Sequence, residues 1–121
     1  MLTEEKGYRL LRVWQEAHAL TLLVYHVTKK FPREELFGLT SQIRRAAVSV
    51  PANIVEGHAR HSKKEFVQFL HIANGSLVEV EYYIGLSYDL QYIDQKIAET
   101  LSDKRRTVGV LLHKLIFSLM H

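Results

Sequence analysis

Not one cysteine occurs among the 121 residues, so neither a disulfide framework nor a thiolate metal site can hold this chain together. A reducing interior suits such a chain, and a cytoplasmic protein is expected. Long apolar runs are missing as well. The richest stretch, Val108 to Met120, is broken by His113, Lys114 and Ser118 and falls short of a bilayer core of roughly 30 Å. No membrane role is expected. The start, MLTEEKGYRLLRVW, puts acidic residues where a secretory signal would be basic, so export is not expected either. Strand alternation is nowhere sustained, and no internal repeat, low-complexity tract or linker interrupts the chain. One domain over residues 1–121 is the expectation. Charge of either sign is also modest: 16 basic against 13 acidic residues leave a net charge of +3, which permits a nucleic-acid partner without requiring one.

What the chain does have is helical period. Val13, Ala17, Leu20, Val24, Val27 and Phe31 recur at spacings of four and three, the seam of a bundle helix that Phe31-Pro32 ends. A second helix is expected from a cap at Thr40 or Ser41, with Ile43, Ala47, Val50 and Ile54 inward and Gly57 at its C-terminal end. Ser62-Lys63-Lys64-Glu65 is a capping box that opens a third helix, carrying Phe66, Leu70, Ala73, Leu77, Val80 and Ile84 to about Tyr88. A fourth begins at Asp94 and places Ile97, Leu101, Val108, Leu111, Leu115 and Leu119 in phase, with Lys104 intruding on the seam. Short connections make sequential helices antiparallel neighbours, so the spacing predicts an all-α, up-down-up-down four-helix bundle.

Several polar residues fall on or beside these seams. Pro51 sits inside the second helix, where it withholds the hydrogen bond due to the Ala47 carbonyl, and a kink is expected there. Arg45, Asn53 and Glu56 on that helix, with Ser76 and Glu79 on the third, are expected to form a paired structural network, since charges beside a core need partners. Arg45 and Arg60 are the candidate partners for Glu56. Basic residues cluster at Arg44-Arg45, in the arc Arg60, Lys63 and Lys64, and in the run Lys104, Arg105 and Arg106, and the arc and the run are the candidates for a shared surface. If they converge, they could neutralise phosphates without sequence preference.

Catalytic and metal readings are weaker. His58 and His61 flank a turn but no third ligand is specified, and the Glu-x-x-His pair that di-metal bundles require is absent. No nucleophile–base pair is specified. A non-enzymatic protein with no catalytic residue, no metal site and no cofactor is expected. Apolar residues off the main seams, namely Trp14, Leu22, Tyr25, Phe69, Ile72, Tyr83, Leu112 and Ile116, exceed the needs of one core, and a homo-oligomer follows.

The ordered pieces Phe31-Pro32, Phe37-Gly38-Leu39, Gln42-Ile43-Arg44-Arg45-Ala46-Ala47, Ser49-Val50-Pro51-Ala52-Asn53-Ile54, Glu56-Gly57 and Gly75-Ser76-Leu77 carry a resemblance. Over about residues 8 to 92 the chain resembles the bacterial four-helix bundle family encoded by intervening sequences within 23S ribosomal RNA genes. Val55 stands where that family would have alanine. The family is also similar to the accessory variability proteins of diversity-generating retroelements, basic pentameric bundles that work with a reverse transcriptase and RNA. The resemblance implies a cytosolic homopentamer. An oligomeric scaffold that binds RNA or a ribonucleoprotein through basic surface is therefore the expected function, with a protein–protein adaptor as the alternative.

Overall fold

The computed structural model describes residues 7–121, so Glu4 and Glu5, on which the export reading rests, lie outside the described residues. Four α-helices follow one another: α1 (Arg12–Thr28), α2 (Leu39–His58), α3 (Lys63–Asp89) and α4 (Gln95–Met120). Short 3-10 turns cover Gly7–Leu10 and Arg33–Glu35, and no strand occurs among the described residues. Each helix packs on its neighbours in sequence and α4 returns to α1, which closes an antiparallel ring of four around one apolar core. Among the described residues, no helix is long and apolar enough to cross a membrane.

The local signals act as their chemistry requires. Ser62 Oγ accepts from the Glu65 N–H at 3.1 Å, the serine half of the capping box, and Asp94 Oδ1 accepts from the Ile97 N–H at 2.8 Å. The start of α2 differs from expectation. Thr40 is buried within the helix, Gly38 holds the cap position without a side-chain bond, and Glu35 Oε1 accepts from the Leu39 N–H at 2.9 Å instead. A carboxylate from the preceding turn does the work of a local cap.

In α1 and α2 most of the expected rows are buried: Val13, Ala17, Leu20, Val24, Ile43, Ala47, Val50 and Ile54 are all nearly or fully inaccessible, whereas Val27 is half-exposed and Phe31, though buried, lies past the end of α1 at Thr28. In α4 the row is rotated. Leu101, Val108, Leu112 and Ile116 are buried, whereas Leu111, Leu115 and Leu119 are half-exposed and Ile97 is exposed. Leu101 and Val108 hold the expected phase, and the row departs from it only after Val108, where the Leu112–Ile116 line fills the centre; Lys104, between Leu101 and Val108, turns its ammonium toward α1 and meets Glu16 Oε1 at 3.0 Å. Trp14 is likewise no spare surface. Tyr8 packs edge-on against it, His18 stacks on it and the Arg9 guanidinium lies 5.0 Å from its ring centroid, so the chain's own N-terminal turn covers it.

α2 is continuous through Pro51. Proline leaves the Ala47 carbonyl without its helical donor, and the buried Thr21 hydroxyl of α1 lies 3.0 Å from that oxygen and 3.0 Å from its own Ala17 carbonyl. A side chain from the neighbouring helix thus supplies what proline withholds. Gly57 does not end α2 by a left-handed turn; it lies buried in the last turn, where a Cβ would come within 2.8 Å of Phe69 Cβ and 2.9 Å of Phe66 Cδ1. Its lack of a side chain lets α3 approach.

The α3–α4 turn depends on Gln91, whose φ of 65° is left-handed. Gln91 N–H donates to the Tyr88 carbonyl and Tyr92 N–H to the Ser87 carbonyl, both at 2.9 Å, which closes α3 and throws Tyr92 back over the bundle end. Its hydroxyl donates to Glu35 Oε2 at 2.7 Å and its ring lies 5.3 Å from Phe31.

Candidate assembly and nucleic-acid surfaces

The expected polar network is divided in two. Ser49 is its centre: Asn53 Nδ2 donates to the Ser49 carbonyl at 2.8 Å and lies 3.0 Å from its hydroxyl, which also accepts from Ser76 Oγ at 2.8 Å across the α2–α3 contact. Arg45 and Glu79 line a cleft of about 350 Å³ beside this chain of hydroxyls, together with Gln42 and Tyr83. Glu56 stands apart. Its carboxylate pairs with Arg60 at 2.8 Å, one helical turn on, with side chains 53% and 43% exposed. The Arg60 guanidinium also covers the Phe69 ring at 4.9 Å. Such an exposed pair contributes about 0.3–0.5 kcal/mol, not the several expected of a buried one.

The two basic clusters lie at different levels of the bundle. Lys63 and Lys64 open α3, whereas Arg105 meets Glu81 (4.0 Å), roughly eighteen residues or about 27 Å further along the same helix. Within the run each cation faces a carboxylate: Lys104 meets Glu16, Arg105 meets Glu81, and Arg106 Nη1 donates to Asp103 at 2.8 Å. Lys63 and Lys64 are exposed and have no carboxylate within 4.0 Å among the described residues. Sequence clustering alone did not reveal this difference, because the acids that occupy Lys104 and Arg105 come from α1 and α3.

Of the surplus apolar residues, Trp14, Leu112 and Ile116 are buried in the core, Phe69 and Tyr83 are half-buried, and Leu22, Tyr25 and Ile72 are exposed. Others were missed from the sequence. Thr21 and Ala47 face each other across α1 and α2, so the next residue on each helix, Leu22 and Val48, turns outward on one flank. On the opposite flank Leu77 lies against Gly109, and the next residues, Val78 and Val110, turn outward with Tyr82 and Phe117 nearby in phase. The missing signal was register, which no single helix contains.

At the bundle end, two donors act on Glu35. The Leu39 N–H and then the Tyr92 hydroxyl hold its carboxyl below the ordinary value of 4.5, while the same carboxylate, followed by desolvation, raises Tyr92 above 10.0. This is a structural latch between the α1–α2 connection and the α3–α4 turn. Among the described residues no three His, Asp or Glu side chains are grouped to hold a metal ion. His58 packs edge-on against Phe66, 5.8 Å between ring centroids.

Comparisons with known proteins place this bundle. The fold is similar to the crystal structure, at 1.70 Å resolution, of a protein of unknown function from the S23 ribosomal protein family of Bacteroides thetaiotaomicron, with a TM-score of 0.80 and 26% identity over 86% of this chain and 94% of that one. No curated protein matches at a significant level. The family model described as 23S rRNA-intervening sequence protein matches residues 9–114, which takes in α1 to α3 and most of α4, and the chain therefore belongs to the 23S rRNA-intervening sequence protein family.

Proposed function

We propose that this protein is a non-enzymatic scaffold that joins copies of itself head to tail into a homopentamer and presents a basic end to RNA. The observation that carries the reading is the pair of apolar flanks on opposite sides of the bundle, Leu22, Tyr25 and Val48 on one and Val78, Tyr82, Val110 and Phe117 on the other. Leu22 is 58% exposed and Phe117 63%, a degree of apolar exposure that water disfavours unless a partner covers it. Two unlike patches on opposite faces suit a heterologous joint. Such a joint closes into a ring when its rotation divides the circle, about 72° for the five copies that the family resemblance implies.

Head-to-tail joining has a sharp test. Leu22→Glu with Val48→Glu disables one flank, and Val110→Glu with Phe117→Glu disables the other. Each variant alone should be monomeric by native mass spectrometry, and an equimolar mixture should give a dimer through the one intact joint. A monomeric wild type, or a mixture that stays monomeric, refutes the arrangement.

In the ring, Lys63 and Lys64 recur once per copy near one end, which multiplies weak phosphate contacts. Lys104, Arg105 and Arg106 are poorer probes than the sequence indicated, because reversing them sets like charges against Glu16, Glu81 and Asp103. Lys63→Gln with Lys64→Gln should weaken binding to a structured RNA and flatten its salt dependence while leaving the melting temperature unchanged. If the wild-type assembly binds no RNA at roughly 50 mM salt, the protein–protein adaptor takes the place of this reading.

A further inference from the structure

A groove between α1 and α4 belongs to neither flank. It encloses about 270 Å³ near the bundle end, floored by Leu23, Val27, Ile97 and Leu101 and rimmed by Lys30 and Lys96. Ile97 is the telling residue. It lies one turn before the fully buried Leu101 and shares its face, yet it is 36% exposed because nothing on α1 fills the space in front of it. The seam that is closed at Leu101 is open one turn above. None of the residues lining the groove is a carboxylate, and neither Lys30 nor Lys96 has one within 4.0 Å among the described residues.

From this charge complementarity we propose that the groove binds a free, medium-length amphipathic monocarboxylate, with the aliphatic body against Ile97 and the carboxylate between Lys30 and Lys96. An inorganic anion would leave the apolar floor uncovered, and a neutral hydrocarbon would leave both ammonium groups without use. Size limits the ligand. Sites for drug-sized molecules run from roughly 300 to 1,000 Å³, so this groove holds a chain of about eight carbons and not a long acyl chain. A ligand of that size binds with a dissociation constant on the order of 1 mM.

The probe is octanoate, titrated into the full-length, methyl-labelled assembly and followed by NMR, with octan-1-ol as the uncharged control. Octanoate should shift the methyl resonances of Leu23, Val27, Ile97 and Leu101 in a saturable way, and octanol should bind more weakly. Lys30→Gln with Lys96→Gln, both at exposed positions, should weaken octanoate roughly fivefold and leave octanol unchanged, the loss expected for solvent-facing ion pairs. Thr100→Trp at the exposed lip should block both ligands. Equal affinities for octanoate and octanol, or lysine variants that bind octanoate like wild type, would overturn the carboxylate assignment. No saturable shift by about 10 mM, or binding that survives Thr100→Trp, would overturn the site.

Discussion

Removing the Thr21 hydroxyl should reveal that it stands in for the amide proton that Pro51 lacks. Thr21 is 8% exposed and its Oγ1 lies 3.0 Å from the Ala47 carbonyl. Thr21→Val keeps the shape and removes the donor, so the Ala47 oxygen is left buried without a partner. The penalty for such an orphan is roughly 1–3 kcal/mol. For a chain of this size that lowers the melting temperature by about 4 °C per kcal/mol. The Ala17 carbonyl, the hydroxyl's other neighbour, keeps its own helical bond from the Thr21 N–H and contributes little to the loss.

The decisive measurement is the same substitution in a Pro51→Ala background. Alanine restores an N–H four residues after Ala47, the helix satisfies its own carbonyl, and Thr21→Val should then cost less than about 0.5 kcal/mol. Pro51→Ala also changes helix propensity and buried volume, but those effects cancel in the cycle. Urea unfolding of all four proteins at one fixed concentration, since assembly adds to apparent stability, should give a coupling of about 1–2 kcal/mol. Additive effects would refute the reasoning and assign the hydroxyl to Ala17 alone.

Three other outcomes follow from the geometry. Gly57→Ala should destabilise by roughly 1–3 kcal/mol in chemical denaturation despite alanine's better helix propensity, because its Cβ would meet Phe69 Cβ at 2.8 Å and Phe66 Cδ1 at 2.9 Å. Glu35 has a depressed folded-state pKa, so its contribution is present above the ordinary value of 4.5 and is lost as pH falls through the folded value; Glu35→Gln should flatten the stability profile in that acidic window, and Tyr92→Phe should flatten it partly. Glu56→Ala should cost only about 0.3–0.5 kcal/mol, and the difference from wild type should shrink as salt is raised in the same denaturation assay.

The row of α1 as far as Val24, the row of α2 and the Ser62 and Asp94 caps were legible in the sequence, since each depends on a 3.6-residue period or a bond spanning three residues, whereas α1 ends at Thr28, three residues short of the Phe31-Pro32 stop. Even the free Ala47 carbonyl could be read there, because proline's missing N–H is a covalent fact. Its partner could not. Thr21 finds Ala47 only when two helices adopt a particular register, and the same register turns Leu22 and Val48 to one flank. Arg60, not Arg45, holds Glu56; Trp14 is covered by the 3-10 turn before α1; and beyond Val108 the buried row of α4 runs through Leu112 and Ile116 in place of Leu111, Leu115 and Leu119. Gln91 adopts a left-handed conformation that its side chain does not advertise, because the turn must return Tyr92 to Glu35 and Phe31. Periodicity says which residues of a helix want burial, but the positions and side-chain volumes of the neighbouring helices decide which of them obtain it, and at Ile97 no neighbour completes the layer.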